Sequence, residues 1–154
     1  MDEIGSSDIW RGRTVRYAPL LFLIGFIFFA SSSQGAMDET SRFVRPLLEL
    51  LFPNTSEQTL AAYHKVIRKS AHLIEYALLG FFASRAFWTS GREFLKRSWH
   101  VAAILLTIGV AGFDELNQSF ISSRTGSIND VILDSIGGGM IVVALVVYKK
   151  WRNN

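Results

Sequence analysis

Four runs of this chain, residues 17–33, 71–88, 99–116 and 131–148, are apolar over lengths that approach a bilayer crossing. A helix needs about 20 predominantly apolar residues to traverse the hydrocarbon layer. Over 154 residues the composition is 49% hydrophobic and only 19% charged, with a mean hydropathy of +0.26. That is too apolar and too sparsely charged for an ordinary soluble domain of this size. The expected fold is an all-α integral membrane protein, one domain over residues 1–154. It is a bundle of four transmembrane helices with a short interfacial helical segment.

The formal charge of +3 and pI near 9.4 would point to nucleic acid in a soluble protein. Here the basic residues flank apolar runs, where membrane topology accounts for them, so nucleic acid is not an expected partner. Lys and Arg number 3 before the first run (Arg11, Arg13, Arg16), 4 in the 85–97 loop and 3 after the last run, against 6 in the intervening segments. The positive-inside rule then makes both termini cytoplasmic. The first run could instead be a signal peptide cleaved near residues 30–36, although a retained anchor helix is the preferred reading. Either way the remaining spans keep their orientation. The chain has no cysteine, which removes disulfides, thiolate metal sites and thiol nucleophiles.

Between the first two runs, residues 34–54 read as polar and loop-like, broken by Pro46 and Pro53 around an apolar patch at 43–52. The patch is too short to span and is expected at the interface. Thr55 and Gln58 fit a capping box, beyond which Leu60, Tyr63, Val66 and Ile67 recur at helical spacing. A helix starting there should run directly into the second span. Gly91 marks a turn in the basic loop.

The ionisable groups of the last three runs all gather at one end, and topology puts those ends on the same, outward side. Arg68, Lys69, His72, Glu75 and Tyr76 fall within a ~120° arc of one helix. Asp114, Glu115 and Gln118 close the third run, at the helix end where the dipole disfavours carboxylates. Pairing with Lys69, Arg124 or His72, or a bound cation, would stabilise them, or one carboxylate would instead stay protonated. Asp130 opens the fourth run and suits a cap with Ser127. Asp134 lies one turn deeper, on the face of Gly137 and Ile141, where a carboxylate without partners costs several kcal/mol. The Ser135 and Gly139 spacing suggests close helix approach. Arg124 and the hydroxyls near it form an outward loop suited to an anion. Because the uncharged parts of the third and fourth runs are short, their acidic turns should complete the crossing and line a wet funnel in the outer leaflet.

Taken together, KSAHLIEYALLG and DELNQSFISSRTGSINDVILDSIGG resemble the VanZ-like family of small bacterial membrane proteins. The ordered set Lys69, His72, Glu75, Tyr76, Asp114, Glu115, Gln118, Arg124, Gly126, Asp130 and Asp134 carries the resemblance, with Ser123 standing where a glycine is expected. The resemblance implies a cell-envelope protein, linked through the family's namesake to resistance to the glycopeptide teicoplanin. It implies no particular reaction.

The leading expectation is a site for an anionic lipid or lipid-linked cell-wall intermediate. In an enzyme, His72 would be the general base, oriented by Glu75, Asp114 or Glu115, with Asp134 nearby and Lys69 and Arg124 holding phosphate. Tyr76, Gln118 and Asp130 would complete substrate binding. The alternative is a non-catalytic binder that alters access of a precursor or drug, and an ion-coupled transporter is weaker because the cytoplasmic halves of the spans lack polar groups. The sequence specifies no cofactor. His72, Glu75, Asp114, Glu115, Asp130 and Asp134 offer enough ligands for a divalent cation, without a specific metal signature.

Overall fold

The computed structural model describes residues 6–32, 37–120 and 126–153. It is built from helices α1 (Ser6–Ser31), α2 (Met37–Leu51), α3 (Glu57–Trp88), α4 (Glu93–Arg97), α5 (Trp99–Ser119) and α6 (Ile128–Arg152), and no strand occurs among the described residues. The 32-residue α3 is central, packing on α1, α2, α5 and α6, while α5 also contacts α1 and α6.

Three helical stretches are long and apolar enough to cross a membrane: Gly12–Ser31, Trp99–Ser119 and Ile128–Arg152. The 71–88 part of α3, expected as a fourth span, does not reach that level of hydropathy, since it carries His72, Glu75 and Arg85. The outward surface is apolar nonetheless. Phe22, Leu105 and Met140 are 77%, 64% and 62% exposed, which suits side chains facing lipid and would be a liability in water.

The inner faces are read off at helical spacing. On α1, Leu20, Leu23 and Ile27 are buried and Ser31 continues their stripe; on α5, Trp99, Ala103, Thr107, Val110 and Ala111 lead into Asp114 and Gln118. Pro19 sits inside α1 and cannot donate to the carbonyl of Val15. Arg85 from α3 does so instead, with Nη1 3.1 Å from that oxygen.

Small residues let α3 and α6 approach backbone to backbone. A Cβ at Gly80 would lie 2.5 Å from the Gly138 carbonyl oxygen, and one at Gly137 would lie 2.7 Å from that of Leu73. Gly138 in turn is closed by Thr107 of α5. Gly139 faces open space, so the seam is made by Gly137 and Gly138 rather than by the expected Ser135 and Gly139 pair.

Two local expectations are corrected. Residues 37–51 form a helix and not a loop, with Pro46 inside it. Arg45 ties α2 in place through Glu49 at 2.7 Å and Glu57 at 2.9 Å, and Leu48 is buried while Leu47, Leu50 and Leu51 are exposed. The cap of α3 is Ser56, whose side chain accepts from the Thr59 backbone N–H at 3.3 Å, one residue beyond the Thr55 of the expected box. From that cap α3 does continue unbroken into the 71–88 segment.

At the end of the bundle formed by the start of α1 and the end of α6, aromatic rings hold the charges. Trp88 and Trp99 stack with centroids 5.5 Å apart, and Lys149 Nζ lies 4.3 Å from the centre of the Trp88 ring. Tyr17 and Ser90 share a hydrogen bond of 3.1 Å between their hydroxyls.

Candidate functional site

The opposite end of the same bundle buries acid. Asp114, Glu115, Gln118 and Asp134 are all buried, Asp114 and Asp134 to 0% and 1% exposure. Helical spacing explains the placement: Asp114 and Gln118, four apart, extend the buried stripe of α5, and Asp134 precedes Gly137 and Gly138 on the seam of α6.

Asp114 is held by neutral donors. Its Oδ2 accepts from Gln118 Nε2 at 2.9 Å and from Ser31 Oγ at 2.9 Å, so the last residue of α1 reaches across to the third run's carboxylate. Ser31 was not anticipated as a site residue. The signal was present in its position four residues after the buried Ile27, on one face of α1.

Glu115 accepts from the backbone N–H of Ser127, the residue that caps α6, at 2.7 Å, and lies within electrostatic reach of Arg68. This link joins the end of α5 to the start of α6 across the loop. Gly126 fits there because a Cβ would stand 2.6 Å from the Glu115 carbonyl oxygen. Ser127 makes no side-chain cap, and Asp130 is engaged elsewhere: Lys69 Nζ is 2.6 Å from its Oδ1. The expected Ser127 and Asp130 box is therefore absent, and Lys69 pairs with Asp130 rather than with the Asp114 and Glu115 pair.

Asp134 is different in kind. Neither of its carboxylate oxygens has a hydrogen-bond partner, and His72 Nδ1 approaches Oδ2 only to 3.8 Å. That is ion-pair range, beyond a hydrogen bond. The hydroxyl of Tyr76, at 0% exposure, is also without a partner. Tyr76 lies within electrostatic reach of Glu75, Asp114, Glu115 and Asp134, so the five groups share one region. Exposure of the side chains falls inward, from 43% at Lys69 and 32% at Asp130 through 19% at His72 to 1% at Asp134. The site thus grades from an exposed rim to a buried floor.

The structure brings together Lys69, His72, Glu75, Tyr76, Asp114, Glu115, Gln118, Asp130 and Asp134 at one end of the bundle. Arg124 lies outside the described residues. Among the described residues no group of three His, Asp or Glu side chains converges closely enough to hold a metal ion, so the six candidate ligands do not form the divalent-cation centre their number allowed. What the arrangement can do is accept protons or hydrogen bonds at its floor and present positive charge at its rim.

A family model described as VanZ/LLP1 matches residues 17–149, which takes in α2 to α5 entirely and most of α1 and α6. Neither a curated protein nor a solved structure matches the chain. With most of its length and the whole graded site inside that match, the chain belongs to the VanZ/LLP1 family.

Proposed function

We propose that this protein spans the bacterial inner membrane four times, through α1, the 71–88 part of α3, α5 and α6, with both termini cytoplasmic. The acidic end then opens into the outer leaflet, where it binds or acts on an anionic lipid or a lipid-linked cell-wall intermediate. Lysine and arginine number 10 on the cytoplasmic side in this arrangement (3, 4 and 3, as counted above) and 6 on the other, which supports the orientation.

The observation that carries the reading is Asp134, a buried carboxylate with no hydrogen-bond partner beside a histidine, at the foot of a rim bearing Lys69. Native proteins satisfy buried polar groups, and an ionisable exception inside an apolar helix is by default a functional-site hypothesis. Lys69, exposed at the rim, can exchange Asp130 for a phosphate oxygen, while His72 faces inward, within reach of a headgroup atom that enters. In catalysis His72 would take a proton from a nucleophile and Asp134 would stabilise the resulting imidazolium. The association of the family's namesake with teicoplanin resistance suggests the envelope phenotype to follow.

His72→Gln and Asp134→Asn keep size and remove basicity or charge. Both are expected to accumulate in the membrane at the level of the unaltered protein and to lose the envelope phenotype, measured as glycopeptide sensitivity. Disappearance of both proteins from the membrane would make the cluster a structural ion network and end the proposal. Full activity of His72→Gln, with loss confined to Asp134→Asn, would leave a binder without acid–base chemistry. A reporter fused at 122–126 should register the exterior, and fusions after Lys150 the cytoplasm.

A further inference from the structure

We propose that the headgroup read by this site carries a protonated amine beside its phosphate, and that the amine is the part that reaches Asp134. This rests on the lipid-binding reading above and narrows it, from a net anionic lipid to a zwitterionic one whose phosphate is the anionic group held at the rim.

Charge supports it first. Asp134 lies within electrostatic reach of Glu75, Asp114, Glu115 and Asp130, five carboxylates in one region. The cationic side chains described there are Arg68, near Glu115, and Lys69, on Asp130, with His72 adding a charge only when protonated. A phosphate alone would bring further acceptor oxygens to a region already rich in carboxyl oxygens. An ammonium placed inward of the phosphate removes that conflict, with the phosphate kept at the rim by Lys69.

Hydrogen bonding points the same way and specifies donors. The floor offers, without partners, both oxygens of Asp134, which accept, and the hydroxyl of Tyr76, which can accept or donate, at 1% and 0% exposure. Asp114 already accepts at Oδ2 from Ser31 and Gln118, and Glu115 accepts from Ser127. A primary ammonium has three N–H donors on a compact charge. A metal ion would need several ligands converging on one point, and among the described residues no three acidic or imidazole groups do so. Carboxylates within mutual reach but not convergent suit a polyatomic cation.

The test uses the full-length protein in nanodiscs holding equal amounts of phosphatidylethanolamine, phosphatidylcholine and phosphatidylglycerol of matched chains, with retained lipid read by native mass spectrometry. Ethanolamine and choline headgroups share the phosphate and the positive charge and differ in N–H donors; the glycerol headgroup has hydroxyls and no ammonium. Phosphatidylethanolamine should be retained about tenfold over phosphatidylcholine, the worth of charge-assisted hydrogen bonds to a buried carboxylate. Phosphatidylglycerol should fall below phosphatidylethanolamine. Soluble phosphoethanolamine as competitor separates sources: displacement of the bound lipid assigns recognition to the headgroup alone, and no displacement assigns it to the intact lipid, either result upholding the paired amine and phosphate.

Asp134→Asn should bring the ethanolamine-to-choline ratio to within about twofold, and Tyr76→Phe, which keeps the ring packing, should reduce it about threefold. If Asp134→Asn fails to accumulate, Tyr76→Phe alone decides. Equal retention of the ethanolamine and choline lipids, preference for phosphatidylglycerol, or an unchanged ratio in the variants that accumulate would overturn the amine while leaving lipid binding intact. Retention of no phospholipid at all would instead remove the lipid reading on which the amine depends.

Discussion

The two ends of the bundle solve the placement of charge in opposite ways. Where α6 ends, Lys149 rests over the face of Trp88, which itself stacks on Trp99, and the Arg85 guanidinium occupies the Val15 carbonyl freed by Pro19. Charges there stay near water and lean on rings or carbonyls. Where α6 begins, carboxylates are carried inside, and Asp134 is left without a hydrogen-bond partner. The first arrangement is what anchoring at a membrane surface calls for. The second costs stability, so the difference teaches which end to interrogate for activity and which for folding.

Substitutions can break that division. Trp99→Ala removes a ring that is 4% exposed, together with its stacking partner's support, and should cost about 3–5 kcal/mol in reversible unfolding while ligand binding per folded molecule is unchanged. Equal loss of binding would show that the two ends are not separable. Ser31→Ala should cost less, about 1–2 kcal/mol, because Asp114 keeps its bond from Gln118. A penalty matching that of Trp99→Ala would mean the acidic end carries as much of the fold as the aromatic one. Lys149→Met should be smallest, about 0.5–1 kcal/mol, since it removes a cation–π contact and keeps the aliphatic stem. Thermal unfolding in matched detergent ranks all three.

The apolar runs, the clustering of ionisable groups at their ends and the inward face of Lys69, His72 and Tyr76 were legible because periodicity is local. Pairing was less so. Lys69 finds Asp130 across 61 positions and Ser31 finds Asp114 across 83, and no spacing rule reaches that far. Ser31 was masked by its neighbours, since a run of serines after an apolar stretch also reads as a cleavage region. The helix at 37–51 was obscured by Pro46, yet Val44, Leu47, Leu48 and Leu51 already carried a helical period. The burial of Asp134 was the clearest feature of the candidate site to be visible from sequence, because a carboxylate one turn inside an apolar helix has no bland explanation. Its nearness to His72, 62 positions earlier (134 less 72), needed the glycine seam that draws α3 against α6.

The length of α3 has a consequence for where this protein can work. At 1.5 Å per residue its 32 residues rise about 48 Å, well beyond a hydrocarbon layer of about 30 Å. Lys69, His72 and Tyr76 are rungs on that single rod, so their depth is fixed by how far the rod sinks. A thicker bilayer would draw Lys69 toward the acyl chains, and a thinner one would lift His72 toward bulk water. In the four-span arrangement proposed above, acyl chain length would thereby become a setting of the site, acting without any contact between the chains and the residues they tune.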